Sequence, residues 1–141
     1  MSDWNRYNID DLIRQILDSA QPETTYGTGR PFMTTYQIAI EFARRFPNVV
    51  AALGHAVGGE GQGPFALTVY FARWLPTRIT SPNGPLRGIM EVRFLAPVHL
   101  VSLEFDNNGT PLTATTNQAG WNSTMFRLLD DQTGPGEGLG T

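Results

Sequence analysis

Residues 90–109 decide the fold class; they read MEVRFLAPVHLVSLEFDNNG and contain the first strand-like pattern in the chain. Met90, Val92 and Phe94 alternate with Glu91, Arg93 and Leu95, which predicts a strand with one face in water. Valine, leucine and phenylalanine alternate with other residues over 101–105 and predict a second strand. Asn108-Gly109 follows it and precedes a threonine-rich run at 110–116. Because asparagine and glycine both accept positive φ, this dipeptide predicts a tight hairpin with a type I′ turn.

Helices are predicted before this region, because apolar residues there recur at spacings of three and four. The predicted helices begin at an N-cap at Asn8, at the capping box Thr34-x-x-Gln37, at Pro47 and near Pro64. Residues 81–85, SPNGP, then form a turn cluster that separates helices from strands. The sequence therefore predicts an α+β fold, with N-terminal helices followed by a small antiparallel sheet.

The spacing of apolar residues also predicts which helix faces are buried. Trp4 and Tyr7 precede the first helix and are interpreted as packing it onto the body or facing a partner chain. Pro76 is expected to fray or kink the last helix near its end. The predicted buried faces are Tyr36, Ala39, Ile40, Ala43 and Phe46 in the second helix and Leu67, Tyr70, Phe71, Trp74 and Leu75 in the last.

A glycine-rich loop, Gly58-Gly59-Glu60-Gly61-Gln62-Gly63-Pro64, lies between two predicted helices and begins just after His55. Glycines let backbone N–H groups come close to a ligand, and a helix N-terminus attracts anions. The loop lacks the phosphate-binding pattern G-x-x-x-x-G-K-[ST], and the chain has no lysine. A plain connector therefore competes with an anion site, whose binding residues would be His55, Gly58, Gly59, Gly61 and Gly63.

The positive charge of the chain is concentrated in its middle. All ten basic residues are arginine, and the net charge is −3. Residues 30–95 hold seven arginines against three glutamates, which leaves +4 between two acidic ends. Arginine suits phosphate and carboxylate partners. The candidate binding residues on the predicted helices are Arg44, Arg45, Arg73 and Arg78.

Several classes of function find little support in the sequence. The chain has no cysteine, and its two histidines, His55 and His99, lack metal-ligand spacing, so we expect no metal site and no cofactor. No nucleophile motif or paired carboxylate indicates catalysis, and we expect no catalytic residue. No apolar run reaches the roughly 18 residues of a membrane span. The polar, acidic N-terminus does not resemble a secretory signal, so we expect a cytoplasmic location.

The order of the predicted elements over residues 34–106, helix, short helix, loop, helix and β-hairpin, resembles that of winged-helix domains. This resemblance implies nucleic-acid binding, here through the central arginines. A second hypothesis is a protein-interaction module that joins another chain, or a copy of itself, through an exposed aromatic or edge-strand surface. A third is an enzyme that binds a small anion at the glycine loop. We expect one domain over residues 1–129 and a disordered tail over 130–141; residues 122–129 fit either a strand or a helix.

Overall fold

A computed structural model of the chain describes residues 2–22, 24–54, 67–115 and 124–129. Within these ranges it contains five helices and five strands. The helices are α1 (Asp3–Arg6), α2 (Ile9–Asp18), α3 (Thr35–Arg45), α4 (Pro47–Leu53) and α5 (Leu67–Thr80). The strands are β1 (Met33–Thr34), β2 (Met90–Phe94), β3 (Ser102–Asn107), β4 (Thr110–Thr115) and β5 (Thr124–Leu128).

The strands form two antiparallel sheets, so the predicted α+β class is confirmed. β5 is the central strand of the larger sheet, whose order is β1-β5-β2. Val92 of β2 pairs with Phe126 of β5, and Met33 of β1 pairs with Phe126 on the other side. β3 and β4 form a separate two-stranded sheet. For the described part of the open alternative at 122–129, the structure shows a strand, since residues 124–128 form β5.

The N-terminal helices begin largely where the sequence predicts. Thr34 and Gln37 form the predicted capping box of α3, each side chain bonded to the other residue's backbone. Asn8 occupies the N-cap position of α2, but its backbone is left-handed and its side chain makes no cap hydrogen bond. The predicted N-cap position is correct, but the Asn8 amide donates to the carboxylate of Asp11 in the first turn, at 3.5 Å, instead of accepting from the helix backbone. α1 was not predicted, and it places the wholly buried Trp4 in the core.

The buried face of α3 differs from the predicted one. Tyr36 and Ala39 are buried as expected, but Ile38 and Phe42 complete the face instead of Ile40 and Ala43. Two overlapping apolar stripes run along this helix, and both include Tyr36 and Ala39. Contacts with α2, α5 and β5 select the stripe that turns inward.

Helix α5 departs from its prediction in two respects. Trp74 was expected in the core, but 36% of its surface is exposed. The helix also continues through Pro76 to Thr80, whereas fraying or a kink was expected at Pro76. Burial of Leu75 and Ile79 on either side of the proline explains the continuation, since the packing of that face outweighs the missing N–H donor.

The hairpin at Asn108-Gly109 is confirmed. Both residues have positive φ, 55° and 90°, and Asn107 pairs with Thr110 across the turn. The Gly109 N–H donates to the Asp106 carboxylate at 2.6 Å. The ring of Phe105 in β3 stacks on that of Tyr36 in α3, with centroids 5.5 Å apart. This contact attaches the small sheet to the helical core.

Substituting Gly109 with valine is expected to destabilise the protein by about 1–3 kcal/mol, because a β-branched residue is strained at positive φ. The expected readouts are a lower urea midpoint and faster amide exchange in β3 and β4. Thr110→Val is the matched control, since that position lies in a strand and is exposed. An unchanged midpoint together with unchanged exchange in Gly109→Val would contradict the strained turn.

Candidate functional site

Part of the predicted site lies beyond what the structure describes. His55, Gly58, Gly59, Gly61 and Gly63 fall within residues 55–66, outside the described residues. The anion site at the glycine loop therefore stays a prediction. The same holds for the predicted tail at 130–141.

Arg44 and Arg45 both bind the carboxylate of Glu41, one turn earlier in α3. Arg44 Nε donates to it at 2.9 Å and Arg45 Nε at 2.6 Å. The pKa of Glu41 is lowered to about 2, first by the hydrogen bond from Arg44 and also by that from Arg45, against the opposing effect of burial. The same pairing raises the pKa of Arg44. Glu41 therefore stays ionised at neutral pH and offsets part of the positive charge here.

The Arg78 side chain is mostly buried and is engaged by other residues of the fold. Its Nε and Nη2 donate to the two carboxylate oxygens of Asp10 in α2, at 2.8 and 2.6 Å. The indole N–H of Trp4 donates to the same carboxylate at 2.8 Å. The Arg78 side chain is only 18% exposed. This network, which we call the Asp10 clasp (Trp4, Asp10 and Arg78), ties α1, α2 and α5 together.

Substituting Asp10 with alanine is expected to destabilise the protein by about 2–3 kcal/mol, because it leaves a mostly buried guanidinium and an indole N–H without their acceptor. Asp11→Ala is the matched control. Asp11 occupies the same first turn of α2 but is exposed, and its loss removes a helix-dipole interaction worth about 0.3–1 kcal/mol. Equal losses of unfolding free energy in the two variants would show that the clasp adds nothing beyond the dipole.

The four predicted arginines do not form one contact group. Arg44 and Arg45 share Glu41, whereas Arg78 belongs to the Asp10 clasp. Arg73 is exposed on α5 and has no ion pair with any residue in the described ranges. Arg73 and the half-exposed Arg44 are therefore the members of the set most accessible to a partner.

A cleft of about 250 Å³ lies between residues 27–30 and 127–129. Arg127 beside it is already engaged, because its Nη1 donates to the carbonyls of Thr28 and Arg30 at 2.9 and 3.1 Å. Its guanidinium also lies over the ring of Phe32. In the part of the chain that the structure describes, no cluster of histidine and acidic side chains could hold a metal ion.

Sequence reasoning missed the most exposed apolar segment. Phe94, Val98 and Val101 are 67%, 66% and 78% exposed. Val101 was predicted to lie in the second strand, but β3 begins at Ser102. The signal was the run LAPVHLV at 95–101, whose apolar residues occupy odd and even positions and cannot all face one core. We call residues 94–101 the apolar connector.

Among the described residues, the strand before this connector has an open edge. β2 pairs with β5, and no other strand within the described ranges pairs with it. The Leu129 N–H donates to the Ile89 carbonyl, so residues 89, 91 and 93 direct their backbone groups toward β5. The backbone groups of Val92 and Phe94 therefore point away from the sheet, where a further strand would lie.

The water-facing side of β2 has an ordered set of charges. Glu91 accepts from Arg127 Nε of β5 at 2.7 Å and pairs with Arg93 of its own strand at 2.6 Å. The Arg93 side chain remains largely exposed, whereas Glu91 is mostly covered. We call Glu91, Arg93 and Arg127 the sheet charge cluster.

Comparisons with protein-family models, with curated proteins and with solved structures found no match to this chain. None of the helices in the described ranges is long and apolar enough to cross a membrane.

Proposed function

We propose that this protein is a non-enzymatic binding module that joins another protein chain through the open edge of β2 and the apolar connector. The observation that carries the proposal is the adjacency of these two features. The outward backbone groups of Val92 and Phe94 lead directly into a segment with three highly exposed apolar side chains.

The chemistry of this surface suits an extended peptide segment. Backbone groups at an open edge bind an added strand, and pockets or apolar side chains beside it supply selectivity. Exposed apolar side chains grouped in one short segment are typical of interaction sites, whereas scattered ones are not. A nucleic-acid partner is less favoured than a protein partner, because Arg45 and Arg78 already form ion pairs with carboxylates within the chain.

Site-specific photocrosslinking in the native cell tests the proposal. A photoreactive phenylalanine analogue at Phe94 or Val101 is expected to give a discrete protein adduct. The same analogue at Arg14, an exposed position on α2, is the matched control and should not give that adduct. Adducts at Arg14 equal to those at Phe94, or adducts with nucleic acid alone, would overturn the proposal.

Nucleic-acid binding is the second candidate, and the order of the elements favours it. β1 precedes α3, β2 and β5 follow α5, and β5 lies between the other two strands. This order resembles that of winged-helix domains, in which a helix corresponding to α5 would approach DNA. Arg73 on α5 and Arg44 on α3 would then contact phosphates.

A salt series with duplex DNA tests this second candidate. Each phosphate contact contributes about one unit to the slope of log affinity against log salt. Arg44→Ala combined with Arg73→Ala is therefore expected to reduce the slope by about two units, whereas Arg14→Ala should leave it unchanged. Absence of binding by the unmodified protein at low salt would exclude this candidate.

A further inference from the structure

The sequence of β2 is complementary to itself when two copies run antiparallel. The strand reads Met-Glu-Val-Arg-Phe over residues 90–94, with Val92 at its centre. An antiparallel pair centred on Val92 places Glu91 of each copy opposite Arg93 of the other. We propose that the partner at the open edge is a second copy of this chain, paired through β2 about a two-fold axis at Val92; this inference rests on the function proposed above.

The backbone permits this register. Val92 directs its N–H and carbonyl outward, and the carbonyl accepts from the exposed Arg93 Nη1 of the same strand at 3.2 Å. In the pair this side-chain contact would give way, and two copies would exchange both backbone hydrogen bonds at the axis. The Phe94 N–H would donate to the Met90 carbonyl of the second copy. The Met90 N–H already donates to the Leu86 carbonyl of its own chain at 3.1 Å. The reciprocal bond, from the Met90 N–H to the Phe94 carbonyl of the second copy, would therefore not form at either end of the pair. The pairing would join the two larger sheets into one six-stranded sheet of order β1-β5-β2-β2-β5-β1.

Neighbouring registers fit less well. After a shift by one residue, the second copy would lie opposite residues whose backbone groups already bond to β5. Centring the pair on Met90 would require its N–H, which is engaged with Leu86. Centring it on Phe94 would extend the pairing beyond the end of β2 and toward Pro97. Only the axis at Val92 opposes Glu91 to Arg93.

Side chains on both faces support the same register. Glu91 and Arg93 would occupy a pair without direct backbone hydrogen bonds, where opposite side chains approach most closely. On the other face, Phe94 would lie opposite Met90 of the second copy and lose much of its exposure. A two-fold interface uses the same patch on both copies, so each favourable pair occurs twice.

The edge of β2 also lacks the features that usually prevent pairing. Natural edge strands are often protected by proline, by a bulge or by unpaired charge. β2 has no proline, its five residues pair without a bulge to β5, and its two charges have opposite signs. A second copy would have to displace only the exposed Arg93 guanidinium from the Val92 carbonyl.

Sedimentation equilibrium over a concentration series tests the proposal on the full chain. The unmodified protein is expected to shift from monomer to dimer mass as concentration rises. Arg93→Glu should weaken dimerisation by about tenfold or more, because two attractive pairs become repulsive. Val92→Pro should also abolish dimers, since the outward N–H is lost while an edge strand tolerates proline. Arg73→Glu, an equal charge change on exposed α5, should dimerise normally.

A mixing experiment separates charge pairing from general destabilisation. Glu91→Arg copies and Arg93→Glu copies should each be monomeric, but an equimolar mixture should form heterodimers, because every cross-strand pair is then of opposite charge. Failure of the mixture to associate, with both variants showing native circular dichroism, would overturn the register. A variant that does not fold leaves Val92→Pro as the deciding measurement.

The outcomes distinguish this inference from the proposed function. A monomer at every concentration, or dimers that persist in Val92→Pro, would overturn pairing through β2. A protein adduct of a different chain at Phe94 would then still support the proposed function. If no protein adduct forms at Phe94 and the protein is a monomer at every concentration, both the proposed function and the pairing through β2 are overturned.

Discussion

Replacing Trp4 with alanine is expected to lower the free energy of unfolding by about 3–5 kcal/mol, the usual cost of removing a buried aromatic side chain. Trp4 is wholly buried, and its ring contacts those of Tyr70, Phe71 and Trp74, with centroids 5.4 to 6.0 Å away. The substitution also removes the indole donor of the Asp10 clasp. Urea denaturation measures the loss directly.

Trp74→Ala is the matched control for this prediction. The two indoles stack on each other with ring centroids 6.0 Å apart. Trp74, however, is partly exposed and is not part of the Asp10 clasp. We expect a smaller loss of about 1–2 kcal/mol, because less apolar area returns to water. A loss in Trp74→Ala that equals or exceeds that in Trp4→Ala would contradict the assignment of Trp4 to the core.

Replacing Phe126 with alanine is expected to cost about 3–5 kcal/mol as well. Phe126 lies at the centre of β5, between Met33 of β1 and Val92 of β2, and is wholly buried. Its removal would leave a cavity where all three strands of the larger sheet meet the helices. The expected readout is a large decrease in the urea midpoint.

Phe94→Ala is the control, because Phe94 has the same side chain and lies in the same sheet but is 67% exposed. At protein concentrations too low for association, its replacement should change stability by about 1 kcal/mol or less. Similar losses for Phe94 and Phe126 would mean that both rings are buried, and the apolar connector would then not begin at Phe94.

The Asp10 clasp changes how the central arginines are interpreted. A positively charged block in a sequence indicates an available surface only if its side chains are not engaged within the fold. Asp10 lies 68 positions from Arg78 along the chain, yet the two form a bidentate ion pair. The charge pattern of the sequence therefore overstates the surface that is accessible to phosphate.

The local features of this fold could be predicted from the sequence by itself. The capping box at Thr34 and Gln37, the start of α4 at Pro47, and the turn at Asn108-Gly109 all appear where predicted. Each depends on the φ preferences or hydrogen bonds of residues that are close in sequence. The change from helical to alternating periodicity near residue 90 likewise determined the α+β class.

Only the tertiary structure decided which distant segments meet. β5 occupies the centre of the larger sheet, although it is the last of the described strands and its own periodicity fits a helix equally well. The buried face of α3, the partial exposure of Trp74 and the open edge of β2 likewise depend on neighbours far along the chain. The apolar periodicity of a segment indicates that its side chains will be buried. Which distant segment buries them is determined by the free energy of packing the segments together, and no local pattern contains that quantity.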